Sequence, residues 1–170
     1  MNKKGAFSVL ALVLLMMAVA VPVMAEPATK VDASTHRIST AYTFGPVTDT
    51  TPSGIIHMYA EYTNQRTLTI DGTVYDVYVV GSMNVVRNPQ VGSMIVHFTA
   101  VWYVGSLTTP TPNGFSGNLK QKGDVLATPA WAESHMVFQG FGNFAQYTLK
   151  LNYEGPLPGA TELSGYCIIP

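Results

Sequence analysis

"HMVFQGFGNFAQYTLKLNYEG", residues 135–155, sets two glycines one residue apart between two apolar, alternating runs. A chain that weakens itself in this way either lays a ligand's phosphate against bare backbone or bends a sheet sharply. The phosphate reading needs a glycine-rich turn that joins a strand to a helix. The residues after Gly142 alternate instead. Ala145, Tyr147, Leu149, Leu151 and Tyr153 fall on one face, and Phe144, Gln146, Thr148, Lys150, Asn152 and Glu154 on the other. Period-2 segregation is the mark of a strand, so no helix amino terminus is available for a phosphate. Glycine within strands marks a bulge, a close backbone approach or a tight bend. Gly140 and Gly142 therefore bend a sheet, and Gly81, Gly117 and Gly165 read the same way.

The same period runs outward along the chain. "STAYTF" (39–44) and "GIIHMYAEYT" (54–63) have strand patterns. Asp71-Gly72, between β-branched runs, suits a two-residue hairpin in which both central positions take positive φ. From Thr73 to Arg87, Tyr75, Val77, Val79, Gly81, Met83 and Val85 share one face. From Ser93 to Val104, Met94, Val96, Phe98, Ala100, Trp102 and Val104 do so. This pair is expected to form the spine of the fold. "GSLTTPTPNG" (105–114) is too rich in proline for a central strand. A short strand at 115–122, a loop "GDVLATPAWAES" (123–134) with a single helical turn, a strand at 136–138, the long strand after Gly142 and a last strand in "ELSGYCIIP" complete eight or nine. The expectation is all-β: a closed antiparallel barrel of about eight strands, mostly up-and-down, preceded by an N-terminal signal helix. Closure removes the sheet edges that invite aggregation. A two-sheet sandwich is the rival, though its immunoglobulin form lacks the required cysteine pair around a tryptophan.

The first residues indicate a compartment. Lys3 and Lys4 precede an apolar run from Ala6 to Val21, Pro22 breaks it, and Val23-Met24-Ala25 offers small residues to a signal peptidase. The run falls short of the ~20 residues that span a bilayer. Residues 1–25 thus read as a signal peptide cleaved after Ala25, leaving a secreted or extracytoplasmic chain without a stable membrane anchor. Residues 26–37 read as a flexible lead, and 38–170 as a single barrel domain. Without Lys3 and Lys4, seven basic side chains face ten acidic ones, a net charge of −3. No basic patch is present for phosphate backbones, so nucleic acid is not an expected partner. Cys167 is the sole cysteine, so stability rests on burial and sheet pairing, with Cys167 itself read as a small buried hydrophobe.

No catalytic constellation or cofactor motif is apparent. His36, His57, His97 and His135 show no metal-ligand spacing, so no metal site is expected. Glu61 and His57, four residues apart on a strand, would lie roughly 13 Å apart, too far for a proton relay. Aromatic residues remain. Tyr75, Phe98, Trp102, Trp131 and Tyr147 are the candidate ligand-binding residues, with Trp131 placed in a loop that could cover a barrel mouth. The expected function is non-catalytic binding of a small apolar ligand or a surface partner. An inward-facing His97, Asp76 or Glu61 beside an empty cavity would instead favour an enzyme.

"FQGFGNFAQYTLKLNYEG" followed by "LSGYCIIP" resembles the closing strands of small antiparallel barrels of the allene oxide cyclase and dirigent type. Those families show a G-x-G-x-F turn, a long alternating strand and a last strand around Ser-Gly-Tyr. The resemblance runs from about Thr67 to Pro170. It implies an eight-stranded barrel whose mouth can hold an apolar small molecule, and it raises the alternative of a cyclase- or isomerase-like enzyme acting inside the barrel. No catalytic residues carry over from those families.

Overall fold

A computed structural model describes residues 27–45, 49–50, 52–156 and 162–170. Residues 1–25, expected to be a signal segment, lie outside them. The strands are β1 (Thr29–Phe44), β2 (Asp49–Thr50), β3 (Ile56–Ile70), β4 (Thr73–Arg87), β5 (Ser93–Val104), β6 (Gly114–Asp124), β7 (Trp131–Phe141), β8 (Thr148–Pro156) and β9 (Glu162–Ile169), with one 3-10 turn at Gly142–Phe144. Among the described residues there is no α-helix.

From β3 to β9 each strand pairs antiparallel with the next in sequence. β1 then lies between the two ends. Ala33 is opposite Gly165 of β9 on one side and Ile70 of β3 on the other, and His36 is opposite Glu162 and Thr67. A strand paired on both edges with the first and last members of a meander closes the sheet. The result is an eight-stranded antiparallel barrel, with β2 a short extension along the β3 edge. The sandwich rival fails on this pairing.

The flexible lead is corrected by the same pairing. Thr29 to Arg37 belong to β1, the strand that closes the barrel. Their side chains are small or polar, so the burial of Ala33 and Thr35 barely registers as a hydrophobic stripe. Main-chain hydrogen bonding on both edges holds what side-chain hydrophobicity does not. A second correction concerns residues 131–134, which form the start of β7 rather than a loop. The helical turn is found at Gly142–Phe144, not within 123–134.

That turn completes the answer about the two glycines. Gly140 is opposite Phe115, and a Cβ there would run into the Phe144 carbonyl. Gly142 has φ 61°, and a Cβ would meet Pro112 and Asn113 of the neighbouring connection. The pair lets the chain fold back over the barrel end, so that Phe144 drops into the interior. Phe144 packs edge-on against Tyr75 and Tyr147, at 5.6 and 5.4 Å, and tilted on Phe115 at 5.1 Å. Above this aromatic plug lies a core of Leu68, Val77, Phe138, Leu149, Leu151 and Cys167, all essentially without solvent exposure. At the same end Asp71 and Gly72 both take positive φ, 48° and 76°, the hairpin geometry that Asp-Gly favours. One end of the barrel is filled.

Candidate ligand cavity

The other end is not filled. A cavity of about 710 Å³ occupies the upper barrel, within the size range of small-molecule sites. Its position follows from alternation. β3 turns Met58, Ala60, Tyr62, Asn64 and Arg66 inward, β4 contributes Met83 and Val85, and β5 contributes Met94, Val96, Phe98, Ala100 and Trp102. β6 and β7 add Leu119, Gln121, Ser134, Met136 and Phe138. The residues nearest the open end are thioethers and branched aliphatics, which adapt to the shape of an apolar guest.

Deeper in, the wall becomes aromatic and polar. Tyr62 meets Phe98 edge-on at 5.7 Å and Tyr42 at 6.2 Å, while Trp102 lies on Phe138 at 4.8 Å. Burial pushes the Tyr62 phenol up to about 12, against the lowering effect of Arg66. At neutral pH it is therefore a neutral hydrogen-bonding group. Arg66 is only 5% exposed, and its guanidinium lies 4.9 Å from the centre of the Trp102 ring. Burial, then the charge of Arg37, pulls Arg66 down to about 10. It remains cationic at neutral pH.

Of the expected ligand-binding residues, the cavity collects Phe98 and Trp102. Tyr75 and Tyr147 belong instead to the aromatic plug at the closed end. Trp131 opens β7 opposite Asp124 and Pro156, and its strand parity turns it outward while Ala132, Ser134 and Met136 turn in. It does not cover the mouth. His97, Asp76 and Glu61 are all exposed on the outer surface. Arg66, Asn64 and Tyr62 were not among the expected site residues. Their signal was present: Ala60, Tyr62, Asn64, Arg66, Leu68 and Ile70 are in phase, so an arginine and an amide share a face with two obligate core residues.

Hollows also lie outside the barrel among the described residues, and two of them are larger than a third beside His97, Asn118 and Lys120. One, of about 440 Å³, lies near Thr63, Val80, Ser82 and Thr99; the other, of about 780 Å³, runs along His36, Glu133, His135, Asn152 and Glu162. The second contains His135, whose ring nitrogens contact Asn152 at 2.9 Å and Glu133 at 2.6 Å, both holding its pKa above the ordinary value. His36 sits 3.4 Å from Glu162. These are solvated surface pairs of small energetic weight. Among the described residues, no group of three His, Cys, Asp or Glu side chains is placed to hold a metal ion. The interior cavity is preferred as the site because a barrel wall encloses it and buried polar groups face it. Compared with family models, with curated proteins and with solved structures, the chain finds no match.

Proposed function

We propose that this protein is an exported binder that holds a small apolar ligand inside its barrel. One observation carries the reading: a closed cylinder, plugged at one end by Phe144, keeps about 710 Å³ unfilled at the other, behind a rim of Met58, Met83, Val85, Met94 and Val96. Three thioethers and two valines surround this space without filling it. A protein selected for stability alone gains by filling such voids, since cavities forgo dispersion and burial energy. Export rests on the layout of residues 1–25.

A second reading, catalysis on an apolar substrate inside the barrel, draws on Tyr62, Asn64 and Arg66 and on the resemblance to cyclase- and dirigent-type barrels. It stands second for a chemical reason. The phenol at about 12 and the cationic guanidinium are poor general bases at neutral pH, and no carboxylate or imidazole lies among the described lining residues.

The neutral fluorescent probe N-phenyl-1-naphthylamine tests the binding reading. It should bind saturably, one per chain, and accept excitation energy from tryptophan. Saturable binding should persist in Trp131→Phe and weaken at least tenfold in Met58→Asp, because Met58 lines the cavity and Trp131 does not. No saturable binding, or binding that Met58→Asp leaves unchanged, would remove the interior site.

A further inference from the structure

The polar side of the cavity needs an explanation that an apolar guest alone does not supply. Arg37 and Arg66 stand directly opposite one another in the β1–β3 ladder, and both line the cavity. Like charges directly opposite in a ladder destabilise it. Arg66 is nineteen-twentieths buried, its Nε has no hydrogen-bond partner, and its guanidinium rests on the face of Trp102. Among the described residues the ion pairs are His36 with Glu162 and His135 with Glu133, both on the outer surface; neither arginine has a carboxylate. A buried cation without a counter-ion is among the costlier features a fold can carry.

Two neighbouring polar atoms also lack partners: a hydroxyl, which can donate to an anion, and an amide oxygen, which only accepts. Thr40 and Asn64, the next inward pair of the same ladder toward the mouth, leave Thr40 Oγ1 and Asn64 Oδ1 without hydrogen-bond partners. The ladder shifts register between Arg37 and Ser39. Bulges of this kind re-aim side chains next to binding sites. Along β3, Arg66 lies eight residues below Met58, roughly 26 Å of strand at ~3.3 Å per residue. The cavity is therefore polarised, with apolar walls at the mouth and cationic groups at depth.

We propose that the ligand is an amphiphilic monocarboxylate bound head down, its carboxylate between Arg37 and Arg66 and its apolar tail running past Met83, Val96 and Met58 to the mouth. The guanidinium fork matches a carboxylate's two oxygens, and burial makes the pairing stronger than at a surface. This inference rests on the binding reading above and names its ligand class. The bound anion supplies the counter-charge that the described residues lack.

The test compares dodecanoate with dodecanol, below micellar concentrations, as displacers of N-phenyl-1-naphthylamine. The unmodified protein should prefer dodecanoate by about tenfold to a hundredfold, the worth of a charge-assisted hydrogen-bonded pair. Arg66→Gln should abolish the preference by bringing dodecanoate to the affinity of dodecanol, and an unchanged circular dichroism spectrum shows that the variant is folded. Arg37→Gln, at a half-buried position, provides the same measurement should Arg66→Gln fail to fold. Equal affinity for the two displacers, or a preference that survives in the folded variants, overturns the carboxylate assignment and leaves the apolar pocket standing. Failure of both compounds to displace a bound probe, or of the probe to bind, sinks the pocket itself.

Discussion

Gly142 and Gly72 both take positive φ, 61° and 76°, yet their surroundings differ. A Cβ on Gly72 would meet nothing within 4 Å; one on Gly142 would collide with Pro112 and Asn113. The two positions separate backbone strain from packing. Gly72→Ala should cost about 1 kcal/mol, the penalty of a left-handed alanine. Gly142→Ala should cost about 3 kcal/mol, since the connection carrying Asn113 must also move. Urea denaturation checks this, and equal losses would mean that the turn relaxes freely. That the chain bends at Gly142 was legible in the sequence, but the alternation after it hid a 3-10 turn, and the strand resumes only at Thr148. The role of Arg66 was not legible. Carboxylates and histidines are the usual marks of chemistry, whereas the informative feature is a cation in phase with Leu68 and Ile70 on the inward face of β3. Its lack of a counter-charge is a property of the assembled interior, and no local window contains it.

At the scale of elements, the 3-10 turn Gly142–Phe144 acts as a stopper through one side chain. Phe144 is 9% exposed and contacts Tyr75, Phe115 and Tyr147. Phe144→Ala should lower stability by about 3–4 kcal/mol, the usual cost of deleting a buried phenylalanine. The open-end cavity, which these residues do not line, should retain its affinity for N-phenyl-1-naphthylamine within experimental error. A large loss of affinity would show that the two ends are one continuous chamber. The strong strands β4 and β5 were readable because long apolar faces recur with period 2. β1 was only half readable. Of its closing residues, Thr29 to Asp32 pair with β9 and Ala33 to His36 with both β9 and β3, and main-chain pairing leaves no trace in side-chain chemistry. The β7 start was obscured for another reason: "TPAWAES" carries turn residues beside its strand, and Ala132 and Ser134 are too small to announce an inward face. Trp131, the conspicuous residue there, points the other way.

For the whole molecule, closure is the property on which the cavity depends, and it can be read covalently. Ser34 is exposed on β1 and has two ladder partners, Ser164 of β9 and Thr69 of β3. Directly opposed residues in an antiparallel ladder have Cα atoms roughly 4.5–5.5 Å apart, within disulfide reach. S34C/S164C and S34C/T69C should therefore each oxidise to an intramolecular bridge in the monomer. Cys167 is buried, and burial pushes its thiol up to about 11, so it should not compete. The first bridge spans nearly the whole sheet in sequence and the second only the β1–β3 segment, so chain-entropy reasoning gives about 5 and about 4 kcal/mol of stabilisation. Mass mapping of the cross-links and thermal denaturation of the oxidised proteins read both quantities. An arrangement that leaves β1 at a sheet edge can bring only one partner to Ser34, so efficient formation of a single bridge would contradict the cylinder. Formation of both fixes β1 between β9 and β3, and with it the wall that sets Arg37 against Arg66.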